Sequence, residues 1–311
     1  MKVSVVMRSK NCDWVIGEAL AALRSQTVSD FELLVVDSGS TDRSLELSEA
    51  YSARVLEIPP DDYHPGNVLN RAMAETTGDV VVFQNADAVP LSPNSLANLL
   101  AAFDGGNVAA AFGRQLPRPD AELWVSREYK ASFPDSNRPA PWIVLSFPFA
   151  AVRRSAWLEH PFYSDCWGSE DTEWGAWALR AGWRVKYVPN AIVMHSHNYS
   201  LRQIWGRRFI EGEADAYVCG GRPNIRTSVR SGVAACWKDV KLSLQLGSVR
   251  ALCLSPVRRI VGEWGEYRGR KLGTDRLLKG CKDSRNGQRV VMANHESVVT
   301  HNDSDAAART Q

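Results

Sequence analysis

The order of hydrophobic patterns in the first 115 residues is the feature that most limits how this chain can fold. Short runs rich in β-branched residues alternate there with segments whose apolar residues recur at helical spacing. The strand-like runs are Val3 to Met7, Phe31 to Val36, Ala53 to Ile58 and Asp79 to Phe83. Strands that alternate with helices form parallel sheets through right-handed crossovers. The sequence therefore predicts an α/β fold with a Rossmann-like, mostly parallel sheet and flanking helices.

The other elements follow from the same periodicities. Helices are predicted from Trp14 to Arg24, Leu45 to Tyr51, after Pro93 and from Glu170 to Ala181. Further strands are predicted from Phe149 to Val152, Arg184 to Val188 and Ala191 to His195, the last two closing the sheet. Residues 113–148 lack sustained periodicity and are expected to be irregular. From residue 201 to about 270 the pattern is helical, and about the last 30 residues are polar and expected to be disordered.

Composition and charge narrow the class of protein. A chain of 311 residues with 44% hydrophobic content can bury a large core. The formal net charge of +2 gives no support for a nucleic-acid partner. Lys and Arg nevertheless outnumber the acids in the C-terminal part, which permits contact with an anionic membrane surface.

Cysteine usage and the N-terminus indicate the compartment. Six cysteines form no CxxC pair, so we expect reduced, mostly buried thiols rather than a zinc site or a disulfide framework. No stretch approaches the roughly 20 apolar residues of a membrane-spanning helix. The first residues enter a strand directly, without the features of a signal peptide. These observations predict a cytoplasmic protein, with any membrane attachment peripheral.

Polar side chains follow the predicted strands, where open α/β sheets bind ligands. The loop from Asp37 to Asp42 can hydrogen-bond to a base or ribose, or it can simply turn the chain and cap the next helix. Asp87 can bind a hard cation, although a lone Asp there also forms turns. His195 can complete a divalent metal shell and is preferred to His197; the alternative is a structural, hydrogen-bonded histidine.

Three acids, Glu170, Asp171 and Glu173, lie within one turn at the start of a predicted helix. The helix dipole alone would explain their presence. The helix dipole does not explain the neighbouring Trp167 and Trp174. These tryptophans could stack on a sugar ring and desolvate a general base.

Taken in order, these segments resemble the family 2 glycosyltransferases with a GT-A fold, over roughly residues 2 to 215. The likeness to the nucleotide-binding half is carried by Val3 to Asn11, by Gln26 and by Val35 to Asp42. The branch that contains bacterial rhamnosyltransferases is similar at His64 to Ala72, Gly78-Asp79, Asp87 to Pro90 and His195 to Ser200.

The resemblance implies roles for individual residues. Asp37 should contact the nucleobase, and Asn85-Ala86-Asp87 takes the place of the DxD motif, with Asp87 as metal ligand. Glu170-Asp171 matches the ED pair, in which Asp171 would be the general base and Glu170 would orient the acceptor. The candidate nucleotide contacts are Ser9, Asp37, Ser40, Asn67, Arg71 and Asn85, and the candidate acceptor or diphosphate contacts are Trp167, Trp174, Arg207 and Arg208.

Three positions depart from the family's pattern. Asn85 stands where many members carry an acid, which removes one charge from the site. Leu69 stands where the branch often has Arg before Asn70, and the arginine of this chain, Arg71, follows Asn70 instead. Gln203, followed by Arg207 and Arg208, differs from the QxxRW element of processive relatives, so a processive polymerase is not expected.

The resemblance thus implies a metal-dependent, inverting glycosyltransferase that uses Mg²⁺ or Mn²⁺. Its donor would be a dTDP- or UDP-sugar, rhamnose being the first candidate, and its acceptor a glycan or lipid-linked glycan at the inner membrane face. A homo-oligomer stays open. Two alternatives are a nucleotidyltransferase, for which the loop Arg8 to Asn11 is too short and lacks glycine, and a catalytically decayed carbohydrate- or nucleotide-binding protein, which Asn85 favours.

The predicted domains are a GT-A domain over residues 1–215, a helical extension over 216–275 and a disordered tail over 276–311. Within the first, residues 1–112 form the nucleotide-binding half and residues 113–215 the acceptor-binding half.

Overall fold

A computed structural model describes residues 1–165, 167–220 and 224–280. The chain divides into two compact units. The first comprises residues 1–163 and 170–197, and the second comprises the described residues of 164–169 and of 198–280.

In the described part of the first unit, eight strands form one mixed sheet. They are β1 (Val3–Ser9), β2 (Glu32–Asp37), β3 (Arg54–Glu57), β4 (Val80–Asn85), β5 (Val89–Pro90), β6 (Val108–Leu116), β7 (Phe149–Arg153) and β8 (Arg184–Met194). Their order is β3-β2-β1-β4-β7-β6-β8-β5. The first four in this order are parallel, whereas β7 is antiparallel to β4 and β6, and β8 is parallel to β6 and antiparallel to β5. The predicted βαβ units are therefore confirmed, and antiparallel pairings appear only beyond β4.

Helices cover both faces of this sheet. They are α1 (Ile16–Arg24), α2 (Ser44–Ala50), α3 (Pro65–Glu75), α4 (Ser95–Leu100), α5 (Leu123–Ser132), α6 (Arg154–Glu159) and α7 (Glu170–Arg180). Successive side chains of a strand point to opposite faces. Met7 accordingly packs in the same core as Leu20 of α1, whereas Val6 packs with Met73 of α3 and Trp174 of α7. A sheet buried on both faces explains why its central strands are continuously apolar.

The prediction of an irregular segment over residues 113–148 was wrong in two places. Strand β6 continues to Leu116, and α5 occupies Leu123–Ser132. The strand shows no alternation because it is alanine-rich and buried on both faces over Val108–Phe112. The helix escaped detection because its first apolar residues are consecutive rather than spaced by a helical turn.

The two strands predicted between Arg184 and His195 are a single strand, β8. Its register against β6 shifts between Gly113 and Arg114, so the residues around Pro189 form an irregularity rather than a break. The strand also does not end the sheet, because the two-residue strand β5 pairs with its outer side.

The second unit is helical, as predicted. Its helices are α8 (Leu201–Val218), α9 (Ile225–Gln245) and α10 (Val249–Leu278). A capping box between Ser200 and Gln203 starts α8. Helix α10 approaches α8 so closely that a Cβ at Gly269 would overlap the backbone oxygen of Phe209. The buried Arg276 forms an ion pair with Glu213 of α8.

These helices move two of the predicted boundaries. The division at 215 falls inside the continuous helix α8, and the chain instead passes from one unit to the other between His197 and Asn198. Residues 276–278 belong to α10 rather than to a disordered tail, because Arg276 is anchored by its ion pair. The tail from residue 281 onward lies outside the described residues.

No described helix combines the length and apolar character that a membrane crossing requires. The four described cysteines are free, as predicted, but none is buried: Cys12 and Cys236 are half-buried, and Cys219 and Cys253 are exposed. Cys166 and Cys281 lie outside the described residues.

Candidate functional site

The carboxyl ends of three parallel strands bring the first site residues together. The register of β1 against β2 pairs Ser9 with Asp37, and its register against β4 pairs Arg8 with Asn85. The loops that follow these strands emerge at the same edge of the sheet, which is where α/β folds bind ligands.

Asp37 organises the loop after β2. Its carboxylate is 1% exposed and accepts hydrogen bonds from the backbone N–H of Gly39 at 2.9 Å and of Ser40 at 2.7 Å, and from Ser40 Oγ at 2.6 Å. Gly39 has a φ of +81°, which a residue with a side chain rarely adopts. Ser40 Oγ in turn accepts from the backbone N–H of Asn11 at 2.8 Å. The loops after β1 and β2 are thereby joined.

Ser9 presents a buried hydroxyl in the same place. The residue is 5% exposed, and its Oγ has no hydrogen-bond partner among the described residues. Leaving a buried polar atom without a partner costs about 1 to 3 kcal/mol. A ligand that supplied the missing partner would recover this cost, which makes Ser9 suitable for a nucleotide pocket.

A three-residue cluster with the composition of a metal site lies at the ends of β4 and β8. Its members are Asp87, His195 and His197, whose ligand atoms all lie within 4.8 Å of one another. His195 Nε2 is 3.6 Å from Asp87 Oδ1, and His197 Nε2 is 3.2 Å from Asp87 Oδ2. The two Nε2 atoms are 3.1 Å apart. Both histidines therefore face the carboxylate, whereas the sequence led us to choose His195 alone.

Gln115 of β6 fixes the orientation of His195. Its Oε1 is 2.8 Å from His195 Nδ1, and its own Nε2 donates to Ser146 Oγ at 2.9 Å. An amide oxygen can only accept, so Nδ1 carries the proton and Nε2 presents its lone pair toward Asp87. This arrangement is typical of metal-bound histidines, whose other nitrogen is held by an acceptor. The carboxylate of Asp87 and the imidazole nitrogens of His195 and His197 are suitable ligands for a divalent cation.

Arg8, at the end of β1, was missed by sequence reasoning. Its Nη2 and Nε donate to Asn85 Oδ1 at 2.9 and 3.3 Å, and its Nη1 donates to Glu170 Oε1 at 3.2 Å. Burial would lower the pKa of Arg8, but the neighbouring Tyr63, Glu170 and Asp171 raise it. The signal in the sequence was an arginine that ends a continuous run of buried strand residues.

Asp171 has the electrostatic character expected of a general base. Burial, together with the charge of Glu170, raises the pKa of Asp171 to about 6. Hydrogen bonds from the backbone N–H groups of Thr172 and Phe147, and the positive charge of Arg8, lower this pKa but do not cancel the rise. A carboxylate with a pKa near the working pH accepts protons more effectively than one with the ordinary value of about 4.

The two tryptophans assigned to the acceptor are both buried. Trp174 is 0% exposed, and its Nε1 donates to the carbonyl of His160 at 2.7 Å. Its ring packs against Phe162 and Trp177, so it belongs to the core and cannot stack on a sugar. Trp167, in the second unit, is 5% exposed. The helical spacing around Trp174 reflected burial against the sheet, not ligand binding.

Arg207 and Arg208 lie side by side in α8 but differ in surroundings. Arg208 forms ion pairs with Glu211, at 2.6 Å, and with Glu266. Burial opposes but does not cancel the effect of these carboxylates, which raise the pKa of Arg208. The side chain of Arg207 is 55% exposed, lies 3.9 Å from Glu211 and stands over the ring of Tyr199 at 4.9 Å. The assignment of either arginine to a diphosphate contact stays a prediction.

The segment His64 to Ala72 forms helix α3 and plays mainly a packing role. Leu69 is fully buried, and Asn70 bonds to the backbone N–H and carbonyl of Phe162, both at 2.8 Å. Asn67 and Arg71 point outward from the helix and are exposed. Their assignment as nucleotide contacts stays a prediction.

The sequence of this chain is similar to a known family and to two O-antigen rhamnosyltransferases. The sequence model of the family described as "Glycosyl transferase family 2" matches residues 4–167. The O-antigen chain rhamnosyltransferase RfbN of Salmonella typhimurium is 29% identical over 286 residues, covering 88% of this chain and 90% of that protein. The O-antigen chain rhamnosyltransferase WbaN of Salmonella anatum is 30% identical over 274 residues, covering 83% and 84%.

Solved structures share the fold at lower identity. The mannosyltransferase PcManGT from Pyrobaculum calidifontis, in complex with GDP-Man and Mn²⁺, superposes with a TM-score of 0.56 at 18% identity, covering 89% of this chain and 85% of that one. Glucosyl-3-phosphoglycerate synthase from Mycobacterium tuberculosis, in complex with Mn²⁺, UDP-Glc and phosphoglyceric acid, gives 0.51 at 22% identity, covering 70% and 80%. These likenesses confirm the predicted GT-A fold.

Proposed function

Because the chain belongs to glycosyl transferase family 2, we propose that it transfers rhamnose from a dTDP- or UDP-linked donor to a glycan or lipid-linked acceptor, with inversion at the anomeric carbon. The choice of rhamnose and of a glycan acceptor is supported by the two O-antigen rhamnosyltransferases, each of which matches more than four-fifths of this chain.

The observation that carries this proposal is the convergence of Asp87, His195 and His197 beside the sheet that also bears Asp37. Asp171 lies on α7, whose first residue, Glu170, is ion-paired with Arg8 of β1. One carboxylate and two imidazoles can hold a divalent cation while leaving positions open for diphosphate oxygens. Two nitrogen ligands out of three favour Mn²⁺ over Mg²⁺, because Mg²⁺ is bound mainly through oxygen. When bound, such a cation neutralises the charge that develops on the departing nucleoside diphosphate.

The chain's own residues account for the rest of the reaction. Asp171 accepts the proton of the acceptor hydroxyl as its oxygen forms the new bond to the anomeric carbon. The bond between that carbon and the diphosphate breaks, and the diphosphate departs with its electron pair. Glu170, ion-paired with Arg8, orients the acceptor. A single displacement of this kind inverts the anomeric configuration, and a positioned base contributes about 10²- to 10⁴-fold to the rate.

Nucleotide binding is proposed for Ser9, Asp37 and Ser40. Ser9 is supported by its unpartnered buried hydroxyl. Asp37 and Ser40 are supported by the joined loops, which hold the backbone near the ends of β1 and β2 in one conformation. Such preorganisation reduces the entropy lost when a ligand binds.

The proposal is tested by measuring nucleoside diphosphate release from dTDP-rhamnose and from UDP- and GDP-sugars, each with Mn²⁺, Mg²⁺ or EDTA and a rhamnosyl-accepting glycan. We expect release with one nucleotide only, loss in EDTA, and an inverted product by NMR. Asp171→Asn should abolish release while leaving a nucleotide-induced thermal shift intact. Glu173→Gln, the same change two positions along α7, is the matched control and should stay active.

A second function has one observation in its favour. Asn85 replaces an acid of the motif, as a decayed transferase that only binds sugar nucleotides would allow. A metal-dependent nucleotide shift without diphosphate release from any donor, in the presence of varied acceptors, would identify the chain as such a binding protein.

A further inference from the structure

Helix α9 exposes its large apolar side chains and buries small or polar ones. Ile225, Val229, Val233 and Trp237, spaced four residues apart along the helix, are between 51% and 71% exposed. On the inward side, Asp239 and Ser243 are buried. An amphipathic helix that packs only against its own protein would show the opposite arrangement. Packing within this unit therefore does not explain the exposed stripe.

Helix α10 continues the same apolar surface. Asp239 of α9 pairs with Arg259 of α10 at 2.7 Å, and Gly232 lies against Glu263, so the contacts run in opposite directions along the two helices. Each residue that follows one of these contacting residues is rotated by about 100° around its helix axis. Because the two helices are antiparallel, these following residues of α9 and of α10 lie on the same side of the helix pair. On α9 these are Val233 and Val240, and on α10 they are Ile260 and Trp264, which are 70% and 47% exposed.

We call this surface the hairpin face; it comprises Val229, Val233, Trp237, Val257, Ile260 and Trp264. Two exposed tryptophans lie within it, one on each helix. Isolated apolar side chains on a protein surface need no explanation, but a contiguous patch on two helices marks an interaction site.

The charge around the hairpin face is almost entirely positive. Of the charged residues that are exposed within residues 224–280, eight are basic and one, Asp275, is acidic. The basic ones are Arg226, Arg230, Lys238, Lys241, Arg250, Arg268, Lys271 and Lys279. The acids that would balance them, Asp239, Glu263 and Glu266, are not exposed, and Asp239 and Glu266 are engaged in ion pairs within the unit.

We propose that the hairpin face docks on an anionic lipid bilayer, with α9 and α10 lying in the plane of the membrane surface. Helices that bind in this way carry apolar and aromatic side chains on one face and Lys and Arg beside them. Tryptophan rings favour the boundary between headgroups and acyl chains, and each basic residue near an anionic surface contributes on the order of 1 kcal/mol. The proposal does not depend on the donor or acceptor named above.

Charge argues against a second copy of the chain as the occupant. A two-fold symmetric dimer through this surface would place the same patch of each copy against the other. The exposed basic side chains beside the patch would then face those of the other copy. Like charges across an interface disfavour association, whereas an anionic membrane attracts basic side chains.

The experiment is vesicle sedimentation of the full chain with phosphatidylcholine alone and with phosphatidylcholine containing 30% phosphatidylglycerol, the 30% being chosen to give a surface potential on the order of that of cytoplasmic leaflets. The test variant is Trp237→Ser with Trp264→Ser. The matched control is Trp142→Ser, a tryptophan of the first unit that is 63% exposed. Because Trp237, Trp264 and Trp142 are 71%, 47% and 63% exposed and none lies in the core, the variants should fold, and circular dichroism checks this.

We expect the protein to partition at least about tenfold more strongly onto anionic than onto neutral vesicles, and this partitioning to decrease as the salt concentration is raised. In the double variant, partitioning onto anionic vesicles should fall by at least about tenfold, whereas in Trp142→Ser it should be unchanged. Equal partitioning onto both vesicle types, unchanged partitioning of the double variant or no sedimentation at all would overturn the proposal. A dimer in solution that the double variant converts to monomer would instead identify a second copy as the occupant.

Discussion

Arg8 places two of its N–H groups on a single oxygen of Asn85, at 2.9 Å from Nη2 and 3.3 Å from Nε. The remaining nitrogen, Nη1, is left for Glu170. By its resemblance to the family's motif, Asn85 is expected to stand where many members carry an acid, and its neutral amide oxygen accepts from the arginine without adding a charge. Asn85 therefore does not neutralise Arg8, whose positive charge acts on Glu170 and Asp171.

Replacing Arg8 by Met should raise the pKa of Asp171 above about 6, because the guanidinium is one of the groups that lower it. The acid limb of the kcat/KM profile should move up by up to about one pH unit. The measurement is the pH dependence of diphosphate release between pH 5 and 9. Arg54→Met removes an exposed arginine that pairs with Glu75 and should leave the limb in place. An unmoved limb in Arg8→Met would show that Arg8 is only a packing residue.

Asp171 should make activity fall as pH decreases through about 6, since only the ionised carboxylate accepts a proton. An aspartate with its ordinary pKa would place this limb near 4. The limb should disappear with the activity in Asp171→Asn. A profile that is flat between pH 5 and 7 in the wild-type enzyme would exclude Asp171 as the base.

The same pKa predicts a gain in stability from removing the carboxyl group. The folded pKa of about 6 lies above the unfolded value, so the folded protein binds more protons between pH 4 and 6 and loses stability as pH rises through that window. Asp171→Asn should therefore raise the thermal midpoint at pH 8 more than at pH 5. Glu173→Gln serves as comparison, and an equal shift at both pH values would contradict the raised pKa.

Removing either histidine should weaken Mn²⁺ binding, and removing Gln115 should do so at a distance. Loss of a hydrogen bond that orients a metal-bound histidine typically costs about 10- to 100-fold in metal affinity. Gln115→Ala should fall in this range, and His195→Ala and His197→Ala should lose at least as much, measured by calorimetric titration. His160→Ala removes a histidine that stacks on Trp177 and should bind metal normally. Normal affinity in His197→Ala would restrict the site to Asp87 and His195.

Trp174→Ala should destabilise the folded protein rather than impair acceptor binding directly. Truncating a fully buried aromatic side chain costs about 3 to 5 kcal/mol, and here it also removes the hydrogen bond to the His160 carbonyl. The free energy of unfolding in urea measures the loss, and Trp142→Ala, at an exposed site, should cost far less. A stable Trp174→Ala variant with a raised KM for the acceptor would restore the sugar-stacking interpretation.

Local sequence patterns were enough to predict the first half of the sheet and its ligand-binding edge. Strands β1, β2 and β4 are buried on both faces, so each appears as a nearly continuous apolar run, whereas the edge strand β3 is only partly buried. Asp37, Asp87 and Asp171 could be named because they follow or begin such elements and match a family motif. The second half was harder because its alanine-rich strand β6 and its antiparallel pairings carry no distinctive local signal.

The sequence by itself thus determined the order of the elements and which polar residues end them, because a strand that is buried on both faces is recognisable as a run of apolar residues. Tertiary structure alone decided which of those residues meet: it added Arg8, Gln115 and His197 to the site, removed Trp174 from it, and turned the apolar side of α9 outward. Such pairings join residues far apart in the chain, and no local pattern encodes them, since a side chain's partner depends on which strands and helices pack beside its own.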